Sequence, residues 1–236
     1  MPALAERTVQ QIALDNLKKY YARRARGRMF ARMEVRTRKQ YGGKRADGLI
    51  AYKHWINGVE TVSIEAKSSK TLPHVRPYFD ARTMIRNCLW LATVVTLASG
   101  SFMFFFKMGD GFWQFMVPLN VFFLTALGYG ATSWYSYKHR QVPVLDQLAR
   151  YPANYQWLAL SQDAFDGMQY HRARKLLQLC RLRGYGLILV RSKNQVKRRI
   201  KPRRRYRLWG NHLKYYSTEQ NILKQINARS ILARKL

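Results

Sequence analysis

Acidic residues are scarce in this sequence. Its 236 residues include 12 Asp and Glu against 43 Lys and Arg, which gives a formal net charge of +31. Such an imbalance argues against an ordinary enzyme of small metabolites and indicates a polyanionic partner. That partner is either nucleic acid or an anionic lipid surface, and the net charge does not choose between them.

Cysteine is equally scarce. Cys88 and Cys180 are the two in the chain, and neither lies near a second Cys or a His at metal-ligand spacing. This spacing argues against a zinc site. A disulfide is not expected either, because no secretory signal precedes the first hydrophobic run. No internal repeat or Gly/Ser-rich linker is evident.

Charge itself is almost missing from the middle of the chain. Residues 1–87 carry +12 and residues 138–236 carry +19, whereas Lys107 and Asp110 are the only charged residues of 88–137. Two uncharged runs, 88–106 and 112–133, are each about as long as the roughly 20 residues that cross a membrane. They predict a two-helix transmembrane hairpin.

The flanks of this hairpin predict its orientation. Arg82 and Arg86 precede the first run, and Lys138, His139 and Arg140 follow the second. The connecting turn has no net charge, so the positive-inside rule predicts that both chain ends are cytoplasmic. We expect the membrane to be the inner membrane of a bacterial cell. The less favoured alternative is a pair of helices buried in a soluble core.

Before the hairpin, the sequence predicts a helix over 3–26 and a strand over 29–38, from their helical and alternating apolar spacing. Two further strands follow, the first opened by Asp47-Gly48 and the second ending in Glu65-Ala66-Lys67. Asn57-Gly58 between them is the strongest short-range hairpin signal. Because side chains alternate along a strand, we expect Ser63, Glu65 and Lys67 to face away from the core.

These segments resemble the PD-(D/E)xK nuclease superfamily, and most closely the restriction-endonuclease-like domains of type IV restriction enzymes. The matching stretches are ADGLIAY (46–52) and TVSIEAKSS (61–69), with Ala46 where the family usually has proline. The resemblance implies a core of helix, three-stranded sheet, helix and strand, of mixed α+β or α/β class. It implies that Asp47 and Glu65 bind Mg²⁺, that Lys67 activates the attacking water, and that Glu6 fills the variable acidic position of the first helix.

The implied site sets a condition on the hairpin. A two-residue turn at Asn57-Gly58 would place Glu65 opposite Ile50 and send Asp47 to the other face. A three-residue loop at 57–59, or one bulge, would return Asp47 to the face of Glu65 and Lys67.

After the membrane segment, the sequence predicts a connector over 152–165, a helix over 169–183 ending at Gly184, and a buried strand over 186–190. The stretch LLQLCRLRGYGLILV is similar to the helix–strand pair that follows Glu-x-Lys in the family. The expected organisation is therefore a nuclease-like domain in two halves, 1–70 and 151–192. An insertion over 71–150 separates the halves, and a basic tail over 193–236 contains a short amphipathic helix.

The tail offers cations for phosphates along DNA or for anionic lipid headgroups; otherwise it is a solvated basic run. The candidate contact residues are Lys197, Arg198, Arg199, Lys201, Arg203, Arg204 and Arg205.

Together these features predict a membrane-anchored, Mg²⁺-dependent nuclease that hydrolyses DNA phosphodiester bonds in defence or DNA processing. The alternative, from another class, is a non-catalytic basic membrane protein. It would act as a subunit or scaffold that binds nucleic acid, anionic lipid or partner proteins, and Glu65 and Lys67 would then form a surface ion pair.

Overall fold

A computed structural model describes residues 4–56, 58–107, 109–135, 139–192, 195–206 and 211–228. The chain forms two compact units, one from Met1–Pro77 with Val142–Leu236 and one from Tyr78–Gln141. The first unit is a mixed α/β domain and the second contains two long apolar helices. Asn57, Lys138 and Ile231, which the sequence places in the turn, the flank and the final helix, lie outside the described residues.

The first unit begins with helix α1 (Glu6–Ala22), which is followed by strands β1 (Ala25–Arg36), β2 (Arg45–His54) and β3 (Gly58–Lys67). The three strands form an antiparallel meander. Helix α1 has the amphipathic spacing that its sequence predicts, and its apolar stripe is buried. The buried apolar residues of α1 are Val9, Ile12, Ala13, Leu14, Leu17 and Tyr21.

The second unit contains β4 (Tyr78–Phe79), α2 (Ala81–Phe105), α3 (Gly111–Tyr135) and β5 (Arg140–Gln141), and β4 pairs with β5. Each helix has 25 residues, so each is about 38 Å long at 1.5 Å per residue. Both are long and apolar enough to cross a membrane. Helix α2 begins seven residues before the uncharged run because Asp80 caps it, accepting a hydrogen bond from the Thr83 backbone N–H at 3.0 Å.

The chain then returns to the first unit. The remaining elements are α4 (Pro143–Ala149), β6 (Tyr155–Ser161), α5 (Gln162–Asp166), α6 (Tyr170–Arg183), β7 (Gly186–Val190), β8 (Val196–Ile200) and α7 (Glu219–Asn227). Short 3-10 helices cover Lys39–Tyr41, Ser69–Val75 and His212–Tyr215. Gly184 ends α6 in the left-handed conformation at φ 71°, as the sequence predicts.

The sheet is larger than the sequence predicts. It has six strands in the order β1-β2-β3-β6-β7-β8, with β3, β6 and β7 parallel and the other pairings antiparallel. The prediction of a connector over 152–165 was wrong, because Tyr155–Ser161 is the strand beside β3. Strand β8 comes from the segment predicted as a basic tail.

Both faces of the sheet are buried. Helix α1 covers one face, where Ile64, Trp157 and Ile188 pack. Helices α4 and α6 and the Ser69–Val75 segment cover the other, where Leu158 and Leu187 pack. The expectation that Ser63, Glu65 and Lys67 face away from the core was therefore wrong: Ser63 and Glu65 are 0% exposed and Lys67 is 7% exposed.

Candidate active site

The connection between β2 and β3 bears on whether Asp47 and Glu65 lie on the same face of the sheet. His54 pairs with Gly58 and Gly48 pairs with Ile64, so three residues, 55–57, connect the strands. The pairing ends at Gly48; continued by one position, the same register would place Asp47 opposite Glu65. The hairpin thus has the three-residue connection that the site needs, two positions earlier than the predicted 57–59.

Short contacts link Glu65, Lys67 and Glu6. The Lys67 Nζ lies 2.8 Å from Glu65 Oε1 and 3.4 Å from Glu6 Oε1. Asp47 Oδ2 accepts a hydrogen bond from the Ala66 backbone N–H at 2.8 Å. Since Ala66 lies between Glu65 and Lys67, this bond fixes Asp47 beside both. The four predicted site residues therefore form one cluster.

Further polar residues, absent from the sequence-based candidates, hold the carboxylates. Thr71 Oγ1 donates to Glu6 Oε2 at 2.9 Å and accepts from the Ser68 backbone N–H at 3.0 Å. The Gln10 side chain lies near Asp47 and lowers its pKa. Gln10 follows Glu6 by four residues on α1, and residues at this spacing share a helix face. That spacing is the one sequence signal that could have identified Gln10.

The cluster contains more negative charge than its single ammonium group balances. Burial raises the pKa of Glu65 to about 8, and the nearby charge of Asp47 adds to the effect of burial while Lys67 opposes it. Burial also raises the pKa of Asp47, although the hydrogen bond from the Ala66 N–H and the charge of Lys67 both oppose this shift. For Lys67, burial disfavours the charge, but the carboxylates outweigh it and raise its pKa, Glu65 most strongly.

The residues present fit a divalent cation. With Glu6, Asp47 and Glu65 ionised and Lys67 protonated, the formal charge of the cluster is −2, which one Mg²⁺ ion would balance. Glu65 Oε2 is buried and has no hydrogen-bond partner among the described residues, so it can accept a ligand. The residues with described placement contain no group of three or more His, Cys, Asp or Glu that could hold a metal. Mg²⁺ in proteins is often held by one or two carboxylates, with water and substrate phosphates completing its coordination.

A cationic pocket lies on the Tyr151 side of this cluster. Tyr151 is buried, and its pKa is raised by burial and by the charges of Glu65 and Asp47. It contributes to a pocket of about 440 Å³ lined also by Lys44, Arg45, Pro143, Gln147 and Arg150. Lys44, Arg45 and Arg150 give this pocket three cations, which suits a phosphate group, and Arg45 also pairs with Glu34 at 3.3 Å.

The structure separates the basic tail residues into two groups. Lys197, Arg198 and Arg199 are exposed on the edge strand β8, and Lys201 and Arg203 are exposed beyond it. Arg204 instead turns inward to Glu60, with Nη2 2.8 Å from Oε1. Arg205 donates to the Arg183 carbonyl oxygen at 3.0 Å and lies over the Tyr185 ring. Contact with phosphate or lipid stays a prediction, and the inward contacts of Arg204 and Arg205 make them the least available for it.

The fold and cluster define a mixed α/β domain with a buried carboxylate–lysine site, interrupted by two apolar helices. No protein-family model, no curated protein and no solved structure matches this chain.

Proposed function

We propose that this chain is a membrane-anchored, Mg²⁺-dependent nuclease that hydrolyses DNA phosphodiester bonds. One observation carries the proposal: at the end of one hairpin, Glu65 lies 2.8 Å from the Lys67 ammonium, and Asp47 accepts a hydrogen bond from the Ala66 N–H between them. Two acids and a lysine in this arrangement are the parts that metal-assisted phosphodiester hydrolysis needs.

The order of elements supports a restriction-endonuclease-like core. Helix α1 precedes the β1–β2–β3 meander, and a parallel strand then lies beside β3. That strand is β6, which α4 precedes. The stretch that is similar to the family's helix–strand pair forms α6 and β7, and β7 is the next strand outward, beside β6. The six-stranded sheet is thus an elaboration of the smaller core that the resemblance implies.

In this proposal, each residue of the cluster has a separate task. Asp47 and Glu65 would hold Mg²⁺, which lowers the pKa of a bound water and offsets charge on the scissile phosphate. The ammonium of Lys67, held by Glu65 and Glu6, would orient the attacking water and stabilise negative charge as it develops. The Ala66 N–H holds Asp47 by a hydrogen bond, so its carboxylate needs little reorganisation.

The membrane part of the proposal concerns α2 and α3. Their length and apolar composition support a spanning hairpin. The basic residues on both flanks support cytoplasmic chain ends and a bacterial inner membrane. The α/β domain would then meet DNA on the cytoplasmic side.

The test is cleavage of supercoiled plasmid by the full chain in detergent, with Mg²⁺ or with EDTA. We expect Mg²⁺-dependent nicking that falls at least about 100-fold in Asp47→Asn and Lys67→Ala, because each removes a group that acts on the metal or the water. Matched controls are Asp15→Asn on the exposed side of α1 and Lys53→Ala on β2, which should cleave like the parent chain. Equal activity in site and control variants would rule out this assignment, provided that circular dichroism shows all four variants folded.

The second candidate is a non-catalytic scaffold, and the ion pairs of Lys67 favour it. Lys67 is held by Glu65 and by Glu6; the pair with Glu65 is buried, not on the surface as expected, but such an arrangement can serve structure alone. A scaffold would show no cleavage in any divalent cation, and Lys67→Ala would lower its stability while Asp47→Asn still bound DNA or anionic vesicles.

A further inference from the structure

A second cationic pocket lies at the C-terminal end of α1. It has a volume of about 310 Å³ and lies between that helix end and the edge strand β8. The residues that line it are Asn16, Lys19, Tyr20, Arg23, Arg24 and Arg198. Four of these six side chains are cations, and no carboxylate is among them. The pocket joins two segments more than 170 residues apart in sequence.

Contacts with Tyr20 and Asn16 hold two of the guanidinium groups in place. Arg198 Cζ lies 4.6 Å and Arg24 Cζ 5.3 Å from the centre of the Tyr20 ring. Arg24 also donates to the Tyr20 hydroxyl at 3.3 Å, and Arg198 donates to Asn16 Oδ1 at 3.5 Å. These cation–π contacts order the planar groups without neutralising them. No further hydrogen bond to the described residues occupies their remaining N–H donors, so these donors can bind an anion.

An irregularity in β8 explains why Arg198 reaches this pocket. Ile200 pairs with Leu187 and Arg198 pairs with Ile188, so Arg199 is an extra residue in the strand. Such a bulge changes which side chains share a face. Arg198 therefore lies with Ile188 on the α1 side of the sheet, although Ile200 packs in the cluster on the opposite side.

The pocket is separate from the carboxylate cluster. Glu6 lies in the first turn of α1, whereas Lys19 and Arg23 lie at its end. At 1.5 Å per residue this separation is about 20–25 Å along the helix axis. The chemistry proposed for Asp47 and Glu65 does not use these four cations, so they need an explanation of their own.

We propose that this pocket binds backbone phosphates of a nucleic acid. Converging cations without a carboxylate repel one another, and an anion in the pocket would relieve that repulsion. The guanidinium group of arginine can donate two parallel N–H hydrogen bonds to two oxygens of one phosphate. A linear polyanion is the fitting ligand, because the four cations come from two separate segments, the end of α1 and β8, and so offer more than one phosphate contact.

The test measures binding of a fluorescent 20-base-pair duplex by anisotropy, with the full chain in detergent and EDTA present so that no cleavage occurs. The test variant is Arg24→Gln/Arg198→Gln. Its matched control, Lys53→Gln/Arg174→Gln, removes the same charge from exposed positions on β2 and α6. Each lost phosphate contact lowers the salt slope by about 0.9, so the test variant should lose about 1.8 in slope and about 60-fold in affinity at 0.1 M salt.

Arg198→Gln alone changes an exposed residue of an edge strand, so it keeps the test valid if the double variant misfolds. Its duplex affinity should fall about 8-fold. Equal losses in the test and control pairs would overturn the proposal, since total charge would then explain binding. So would unchanged duplex affinity with a selective loss of binding to phosphatidylglycerol vesicles, which would assign the pocket to lipid headgroups. The assay contains EDTA and measures no cleavage, so it tests this pocket even if the nuclease proposal fails.

Discussion

Binding of a divalent cation at Asp47 and Glu65 should release protons. The pKa of Glu65 is raised to about 8, so at pH 7 about nine-tenths of this carboxyl is protonated. A metal ion binds the ionised carboxylate, so it must displace this proton. We expect close to one proton released per ion at pH 7. The apparent dissociation constant should fall about tenfold per pH unit between pH 6 and 8 and level off above pH 8.

Titration calorimetry measures both quantities directly. The full chain in detergent is titrated with Mg²⁺ or Mn²⁺ at pH 6, 7, 8 and 9, in buffer pairs of different ionisation enthalpy, and the difference in heat counts the protons. Glu65→Gln should lose the binding and the proton release together. Asp163→Asn, which changes an exposed carboxylate of α5, should leave both unchanged.

The same pKa predicts how stability depends on pH. A carboxyl raised from its ordinary 4.5 to about 8 stabilises the folded state most below pH 4.5, and this contribution is lost as pH rises to about 8. For fully buried Glu65, the loss is at most about 5 kcal/mol, at 1.36 kcal/mol per pH unit. Added Mg²⁺ should restore part of it at pH 8 and little at pH 5. A metal affinity that does not change with pH, with no proton released, would refute this reasoning.

Three further predictions concern the stability of the α/β domain and the membrane insertion of α2. Glu60→Gln removes the buried partner of Arg204, 2.8 Å away, and should lower the free energy of unfolding by about 2–3 kcal/mol in urea denaturation. Unchanged stability would mean that this pair does not anchor the segment after β8. Gly186→Ala would place a Cβ 2.5 Å from the Trp157 ring, so it should cost about 3 kcal/mol in the same assay, and a cost below 1 kcal/mol would contradict that packing. Leu97→Arg in α2 should disfavour membrane insertion by about 3 kcal/mol and reduce the carbonate-resistant membrane fraction, whereas a soluble helix pair would leave that fraction unchanged.

The local elements were predictable because local chemistry decides them. The Asp47-Gly48 opening, the turn near Asn57 and the Glu-x-Lys ending predict a hairpin without knowledge of distant contacts. The face of Glu65 was not predictable in this way. The elements that cover this side of the sheet are α4 and the Ser69–Val75 segment, and α4 follows the apolar hairpin in sequence.

Strand β6 was missed for a related reason. All seven of its residues are buried, so its sequence shows no alternation, and Gln156 and Ser161 interrupt the apolar run. Distant groups make Gln156 acceptable there, since its amide donates to the carbonyl oxygens of Leu148 at 2.6 Å and Tyr151 at 2.7 Å. Such partners are visible only after folding. The pocket of Arg24 and Arg198 likewise depends on one extra residue in β8.

The most direct measurement of the central claim is the position of a bound ion. Crystals of the full chain soaked in Mn²⁺, which accepts the same oxygen ligands as Mg²⁺, would show the ion by its anomalous scattering. We expect one peak in direct contact with carboxylate oxygens of both Asp47 and Glu65. A map with no peak at these oxygens, at Mn²⁺ concentrations that support cleavage, would contradict it.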